Sequence, residues 1–535
     1  MSLQCRPAIS NSVRLISLSR ETAITTAIPR PGGAGPPINT SPDVPAAPTY
    51  LGYLSKITQN ILSQGAQVLG LSPSHEEKPT VVQSAAGGVP VKAQSKDRVI
   101  KKMESRAEVS NKTVALVQRI LEAESVSAVV FRLQQLNSHI INFPATRLVA
   151  AQDKRLISAL IRFEKADIDV NVKAASRMCL TLCGYQPQLK KKGINLLCID
   201  GGGTRGMMGL AVLSEIERLT NKRICELFDM VVGVSTGGII ATLLGIKQYS
   251  VAQARDIYME ISKKLFYQTR VHGAIGVLRS HSYYDTKMWI TLLKELIGEH
   301  DTLIDSSKSK HVPRIAIVSS IVNLPKVEPY IFRNYEHPAS LASHYRGGVS
   351  HELWRAIQAS AAAPFYFEEV ELSDAGILLQ DGGIYSNNPS SIGVHEAKLL
   401  WPEESFHTVV SVGNGRSVME LAPTLTYKST GLQEKLNRII DSATDTEGVH
   451  NTLRDTLDHN CYFRLNPYMS YPYSLDEIDP KRLEQMQHDA SLYIRRNHAK
   501  IEAVAARLVE KATLMQEWRR KWSIFRDAHG LYRPK

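Results

Sequence analysis

A serine between two glycines is the first candidate for chemistry in this 535-residue sequence. The apolar run Met230–Val232 leads into Gly233, and the motif continues through Ser235 to Gly237 before a helical pattern begins. Gly-x-Ser-x-Gly between a strand and a helix is the nucleophile-elbow pattern, in which a sharp turn exposes the serine hydroxyl. Flanking glycines tolerate the strained backbone of such a turn. The alternative is a serine that only caps the helix, because a short motif is weak alone.

A second glycine-rich turn lies earlier in the chain. The apolar run Ile194–Ile199 predicts a strand that ends at Asp200, and three successive glycines follow. Such a turn presents backbone N–H groups without side chains and binds anions. In acyl transfer the anion is the oxyanion of the tetrahedral intermediate. The predicted oxyanion-hole residues are Gly201, Gly202, Gly203, Thr204, Arg205 and Gly206.

The same glycines also satisfy the dinucleotide fingerprint G-x-G-x-x-G. That fold expects an acidic residue about twenty positions on, at the end of a second strand. Here Glu215, Glu217 and Glu226 lie in or just after the helical stretch. A nucleotide fold also gives no reason for the serine elbow. Nucleotide binding without catalysis therefore remains only as an alternative.

A candidate general base lies far along the chain. The segment Gly376–Gln380 predicts a strand, and Asp381 follows it, with Gly382 and Gly383 next. An aspartate at a strand end, freed by glycines, can accept a proton from a serine in a neighbouring turn. An Asp-Gly turn with no chemical role is the alternative.

The catalytic motifs fall within an alternation of strand and helix patterns. This alternation predicts an α/β/α sandwich with a mainly parallel sheet. Ser235 and Asp381 then both lie at carboxyl ends of strands, where such sheets bind their ligands. Strands are predicted at 194–200, 229–234, 314–322, 328–333, 376–380 and 408–412, and helices at 207–220, 237–247, 251–265, 287–297, 351–362 and 390–400.

Taken in order, the three motifs resemble those of the patatin-like phospholipase family. The resemblance covers residues 190–535 well and residues 100–190 loosely. It implies the patatin-like α/β/α fold, a Ser–Asp dyad of Ser235 and Asp381 without histidine, an oxyanion hole from the glycine turn, and no cofactor. Asn414 stands where we expect threonine, and we expect this difference to leave the chemistry untouched. The segments that carry the resemblance are Asp200–Gly206, Gly233–Gly237, Ala359–Phe365, Asp381–Gly383 and Gly413–Arg416.

The resemblance implies a calcium-independent phospholipase A-type lipid acyl hydrolase, which cleaves fatty-acyl esters of glycerophospholipids through an acyl-enzyme. Two other classes remain open: a conventional triad esterase or lipase using His395, His407 or His450, and a non-catalytic nucleotide- or lipid-binding module. We expect no metal, because Asp441–Glu447 lacks the alternating acidic ladder of a calcium loop.

The net charge of +12 is unevenly placed. Residues 1–192 carry 25 Lys and Arg against 13 Asp and Glu, whereas residues 193–535 carry 39 of each. A neutral catalytic half with a basic appendage suits an anionic surface. Nothing resembles a nucleic-acid module, so we expect an anionic phospholipid membrane surface as partner and no nucleic acid.

The rest of the chain predicts location and domain order. Residues 1–20 contain three arginines and no acidic residue, which is typical of a mitochondrial transit peptide, although a disordered tail is the alternative. Six cysteines without paired zinc spacing indicate a reducing compartment. We expect an intracellular peripheral membrane protein, mitochondrial, with peroxisome or endoplasmic reticulum as alternatives. The expected domains are a disordered targeting and linker segment at 1–105 with an amphipathic helix at 51–71, a small helical region at 106–190, the catalytic domain at 191–420, and a helical part at 421–535 with one long helix at 479–526.

Overall fold

The structure is a computed structural model that describes residues 105–166, 169–267, 284–373, 375–417 and 446–531. The predicted targeting and linker segment through residue 104, with its helix at 51–71, lies outside these residues. Positions 441–445 of the calcium-like stretch lie outside them as well.

The described chain begins with a layer of helices. Ser105 caps the first of them by a capping box with Glu108, which satisfies N–H groups at the helix start. Leucines such as Leu133, Leu136 and Leu156 are fully buried and form a core of their own. The region expected to be helical, residues 106–190, contains α-helices. They are α1 (Arg106–Leu121), α2 (Val126–Asn142), α3 (Arg147–Gln152), α4 (Lys154–Lys165) and α5 (Val170–Leu182).

A nine-stranded sheet forms the centre of the fold. The strands of the described chain are β1 (Ile194–Ile199), β2 (Met230–Val234), β3 (Arg314–Ile321), β4 (Glu328–Arg333), β5 (Arg346–Gly348), β6 (Val370–Leu372), β7 (Ile377–Asp381), β8 (Phe406–Val412), β9 (Arg416–Ser417), β10 (Tyr462–Leu465) and β11 (Tyr468–Met469), of which β9 and β11 form a separate pair. The sheet order is β10-β8-β1-β2-β3-β4-β5, with β6 and β7 joined to it through β3. The pairs from β10 to β3 along this order are parallel, and the pairs β3–β4, β3–β7 and β6–β7 are antiparallel.

Helices cover both faces of this sheet. Successive residues of a strand point to opposite faces, so Leu197 and Val231 enter one core while Leu196 and Val232 enter the other. Every residue of β1 is buried, as expected for a parallel strand that is covered on both sides. The predicted α/β/α sandwich with a mainly parallel sheet is confirmed. The helices between the strands are α6 (Gly206–Thr220), α7 (Ile224–Leu227), α8 (Thr236–Ala241, continued by a π-helical turn at Thr242–Ile246), α9 (Val251–Tyr267), α10 (Thr286–Ile297), α11 (Leu353–Ser360), α12 (Gly383–Ser386) and α13 (Ser390–Leu400).

Strands β2 and β7 meet end to end along one side of β3. Val234, the last residue of β2, pairs with Val318, and Asp381, the last residue of β7, pairs with Ser319. Because the Ser319 region also pairs with β4, strand β7 must lie on the side of β3 that β2 occupies. The two strands run in opposite directions, so their carboxyl ends face each other.

The expectation of one long helix at 479–526 is wrong. The described chain after residue 445 forms α14 (Glu447–Thr456), α15 (Pro480–Arg496), α16 (His498–Leu508) and α17 (Leu514–Ala528). Asn497 leaves the helical conformation and separates α15 from α16, and Thr513 caps α17. These are residue types that favour helix ends over helix interiors. No helix of the described residues is long and apolar enough to cross a bilayer.

Candidate active site

The Gly-x-Ser-x-Gly motif forms a sharp turn between β2 and α8. Ser235 has φ 54° and ψ −122°, an unusual conformation for a residue with a side chain. A Cβ atom on Gly233 would lie 2.1 Å from the Gly237 carbonyl oxygen, and one on Gly237 would lie 2.1 Å from the Ile199 oxygen. Both flanking positions therefore require glycine, and the turn leaves Ser235 only half-buried.

The Ser235 backbone is anchored by a second serine. Its N–H donates to Ser360 Oγ at 2.8 Å, and the Ser360 hydroxyl donates to the Val318 carbonyl oxygen at 2.6 Å. Ser360 is fully buried at the end of α11. This chain of bonds fixes the elbow against β3, a role of Ser360 that its local sequence does not indicate.

Asp381 lies beside Ser235, at the meeting point of β2 and β7. Its carboxylate accepts the Gly383 N–H at 2.7 Å and is within hydrogen-bonding reach of the Ser235 side chain. Burial raises the pKa of Asp381 to about 6, although both hydrogen bonds act to lower it. The buried carboxylate is thus a stronger base than an exposed one.

The glycine turn is close to the same serine. A Cβ atom on Gly201 would lie 3.2 Å from Ser235 Cβ. Gly203 has φ 54°, and a Cβ there would lie 2.0 Å from the Leu475 carbonyl oxygen, so no larger residue fits. The turn continues through a 3₁₀ segment into α6, and the N-terminal end of a helix favours negative charge.

Two of the six predicted oxyanion-hole residues have backbone N–H groups without a hydrogen-bond acceptor among the described residues. They are Gly202 and Gly203. The N–H groups of the other four residues already have acceptors, and these hydrogen bonds close the turn. All four donate to backbone carbonyl oxygens. Gly201 donates to that of Asn387 at 3.2 Å, Thr204 to that of Leu475 at 2.7 Å, Arg205 to that of Gly202 at 3.2 Å, and Gly206 to those of Gly203 and Thr204.

A buried ion pair supports the start of the glycine turn. Arg464, on β10, donates from Nη1 and Nη2 to the two carboxylate oxygens of Asp200 at 2.9 and 2.6 Å. Burial raises the pKa of Asp200 to about 6, and the attraction of Arg464 opposes this shift. Arg464 was missed in the sequence because β10 carries no motif and follows the glycine turn at a great distance along the chain.

Asn414 contacts the glycine turn. Its Nδ2 donates to the Asp200 carbonyl oxygen at 2.6 Å and lies 3.4 Å from the Gly201 oxygen. Its side chain also limits the space at Gly202, where a Cβ would lie 2.8 Å from Asn414 Cβ. Asn414 therefore supports the same glycine turn that lies beside Ser235.

The three histidines of the triad alternative have other partners. His395 stacks on His344 with ring centroids 5.3 Å apart, His407 Nε2 lies 3.1 Å from the Arg507 carbonyl oxygen, and His450 Nδ1 lies 3.2 Å from the Tyr462 hydroxyl. In the described part of the chain, none of the three contacts Ser235 or Asp381. The geometry therefore gives no support to a Ser–His–Asp triad.

The acidic residues of the nucleotide alternative are engaged in local structure. Glu215 pairs with Arg218, Glu217 accepts the Val251 N–H at 2.9 Å, and Glu226 accepts the Arg223 N–H at 3.0 Å. They lie on α6 and α7, whereas a ribose-binding carboxylate is expected at the end of a strand. Among the described residues, no three His, Cys, Asp or Glu side chains cluster as metal ligands would.

Comparison with known proteins places this chain in a family. Residues 197–392, which contain both candidate catalytic residues, match the model of the patatin-like phospholipases. A protein of Rattus norvegicus named calcium-independent phospholipase A2-gamma is 34% identical over an alignment that covers 96% of this chain and 68% of the relative. The chain belongs to the patatin-like phospholipase family.

Other relatives of this patatin-like chain carry similar names. The Mus musculus calcium-independent phospholipase A2-gamma is 36% identical over 89% of this chain, and Phospholipase A I of Arabidopsis thaliana is 29% identical over 62% of this chain and 29% of the relative. The patatin-like chain spans about three fifths of the length of its Mus musculus, Oryctolagus cuniculus and Homo sapiens relatives.

Proposed function

We propose that this chain is a phospholipase A-type lipid acyl hydrolase that cleaves fatty-acyl esters of glycerophospholipids. The observation that carries the proposal is the contact of the Ser235 side chain with the buried Asp381 carboxylate at the end of two facing strands. The relatives' names support the substrate class, since they are called phospholipases.

In the proposed reaction, Ser235 Oγ attacks the ester carbonyl carbon and its proton passes to Asp381. The carbonyl oxygen becomes an oxyanion, which accepts hydrogen bonds from the amides of Gly202 and Gly203. When the intermediate collapses, the ester C–O bond breaks and the leaving alkoxide takes the proton from Asp381. The products at this stage are a lysophospholipid and an acyl-enzyme.

Water completes the proposed cycle. Asp381 accepts a proton from a water molecule while the water oxygen attacks the acyl carbon of the acyl-enzyme. The second oxyanion occupies the same pair of amides, and Ser235 recovers its proton as the fatty acid leaves. The raised pKa of Asp381 supports both proton transfers, because a general base is most effective when its pKa is close to the working pH.

We also propose that the reaction needs neither calcium nor a cofactor, and that the enzyme acts as a peripheral protein on an anionic intracellular membrane. Two amides already stand ready for the oxyanion, and the mammalian relatives are named calcium-independent. The excess of 25 basic over 13 acidic residues in 1–192 supports attraction to an anionic bilayer.

Release of fatty acid from defined vesicles tests this function. The full chain is incubated with phosphatidylglycerol or phosphatidylcholine vesicles in excess chelator, and the S235A variant serves as the control. We expect release of free fatty acid and lysophospholipid by the native chain and none by S235A. Equal release by S235A, or release that requires added calcium, would contradict the proposal.

A further inference from the structure

One aromatic residue beside the site has an unfavourable backbone and an exposed ring. Phe365 has φ 69°, in the left-handed region where glycine is at ease and a bulky residue is strained. The residue is 61% exposed. Packing inside the described chain therefore does not account for the ring, whereas glycine at this position would remove the strain.

Phe365 follows a short segment that accepts hydrogen bonds from the backbone N–H groups of both proposed catalytic residues. Ser360 accepts the Ser235 N–H, and Ala362 accepts the Asp381 N–H at 2.9 Å. Phe365 is three residues beyond Ala362, so its backbone is within about 10 Å of that hydrogen bond. The strained residue is thus at the same edge of the sheet as the proposed site.

A second exposed aromatic residue follows Asp381 in the chain. Tyr385 belongs to α12, four residues after Asp381, and is 38% exposed. Its N–H donates to Ser320 Oγ at 3.1 Å, which fixes the short helix against β3. Two exposed aromatic residues therefore lie on segments that are hydrogen-bonded close to the candidate base.

A further group of exposed aromatic residues lies on α17, near the start of β1. Trp518 and Trp522 on α17 are exposed, and Gln516 of the same helix donates to the carbonyl oxygen of Lys192, two residues before β1, at 2.9 Å. Ser235 follows the carboxyl ends of the parallel strands. A lipid surface that met α17 would be far from the ester that Ser235 must attack.

We propose that Phe365 is the residue through which the active-site edge contacts the apolar layer of aggregated phospholipid. This inference rests on the proposed function. A phospholipid in a bilayer presents its esters just below the headgroups, so an aromatic ring beside the site can enter the lipid while Ser235 approaches the ester. The strained backbone holds the ring outward, and the strain is retained because the ring acts outside the folded chain.

The test compares three variants of the full chain. F365G removes both ring and strain, F365A removes the ring and keeps the strain, and F131A is the matched control, because Phe131 is 60% exposed on α2, away from the site. Each protein is assayed on a monomeric short-chain ester and on phosphatidylglycerol vesicles. Co-sedimentation with the same vesicles is measured in about 0.5 M salt, which screens the attraction of the basic residues.

The ratio of vesicle to monomer turnover should fall about tenfold in F365G and F365A, as expected for loss of a buried phenyl ring, and should not change in F131A. Sedimentation should weaken in parallel, and F365G should melt no lower than the native chain. An unchanged ratio, an equal loss on the monomeric ester, or a lower melting temperature of F365G would each overturn the inference. Labelling of Ser235 by a fluorophosphonate reports the proposed function separately, and sedimentation tests Phe365 even without turnover.

Discussion

Arg464 and Asp200 form a two-bond ion pair directly behind the glycine turn. Their side chains are only 4% and 2% exposed, and both carboxylate oxygens of Asp200 are bonded to the guanidinium group. A buried charge without its partner is costly, so this pair has two consequences. It determines where β1 ends relative to β10, and it makes the position of Gly202 and Gly203 depend on a strand far along the chain.

Replacing Arg464 should destabilise the fold strongly. R464M leaves the Asp200 carboxylate without its partner, and we expect the free energy of unfolding to fall by about 3–5 kcal/mol. Urea unfolding measures this. The control is R218A, which breaks an exposed pair with Glu215 and should cost less than about 1 kcal/mol. Similar losses in both variants would show that the buried pair has no special role.

The motifs could be predicted because each is local. A strand pattern, a run of glycines and a serine or aspartate lie within a few residues of each other, and parallel strands bring such ends to one edge. The sequence could not show which amides of the turn stay free. That depends on the carbonyl oxygens of Asn387 and Leu475, which come from distant segments and accept the N–H groups of Gly201 and Thr204.

The supporting residues escaped prediction for the same reason. Ser360, Asn414 and Arg464 each act through a contact with a distant segment, and the local sequence does not show which segment that is. The tail was misread because its helical periodicity continues through Asn497, whereas the break depends on the local conformation of that residue.

Asn414 should act on the rate more than on the stability. N414L fills the same space but cannot donate to the Asp200 carbonyl oxygen, so we expect kcat to fall about five- to tenfold with KM little changed, as for loss of one hydrogen bond. N414T retains a donor and should recover part of the rate. The measurement is steady-state kinetics on a soluble ester. A large drop in melting temperature with normal kcat would instead indicate a packing role alone.

The activity should decline in acid with an apparent pKa of about 6. In the proposed reaction Asp381 must be deprotonated to accept the serine proton. Burial raises its pKa to about 6, so the proposed active form is lost as the pH falls through that value. A profile of kcat/KM between about pH 4.5 and 8 measures it.

The melting temperature at each pH is the control for this profile. Burial also raises the pKa of Asp200 to about 6, and its protonation would weaken the pair with Arg464. A rate that falls while the melting temperature is constant points to Asp381. A flat rate profile down to about pH 4.5 would contradict the role of Asp381 as base.

Each candidate histidine should be dispensable. H395Q, H407Q and H450Q remove residues that contact neither Ser235 nor Asp381 within the described chain, so each should keep most of the activity on a soluble ester. In a triad enzyme, loss of the histidine costs about four orders of magnitude or more. A loss on the scale of S235A in any one of the three would restore the triad alternative. Far-ultraviolet circular dichroism of each variant checks that it is folded.

The most direct test of the Ser–Asp account is a double-mutant comparison on one soluble ester. S235A and D381N should each lower kcat/KM by about three orders of magnitude or more, and the double variant should be no worse than either, because groups that act as one unit are not additive. D381N keeps the size of the side chain and removes its basicity. Substantial activity in folded D381N, or a double variant whose loss is the product of the two single losses, would contradict the proposal that Asp381 activates Ser235.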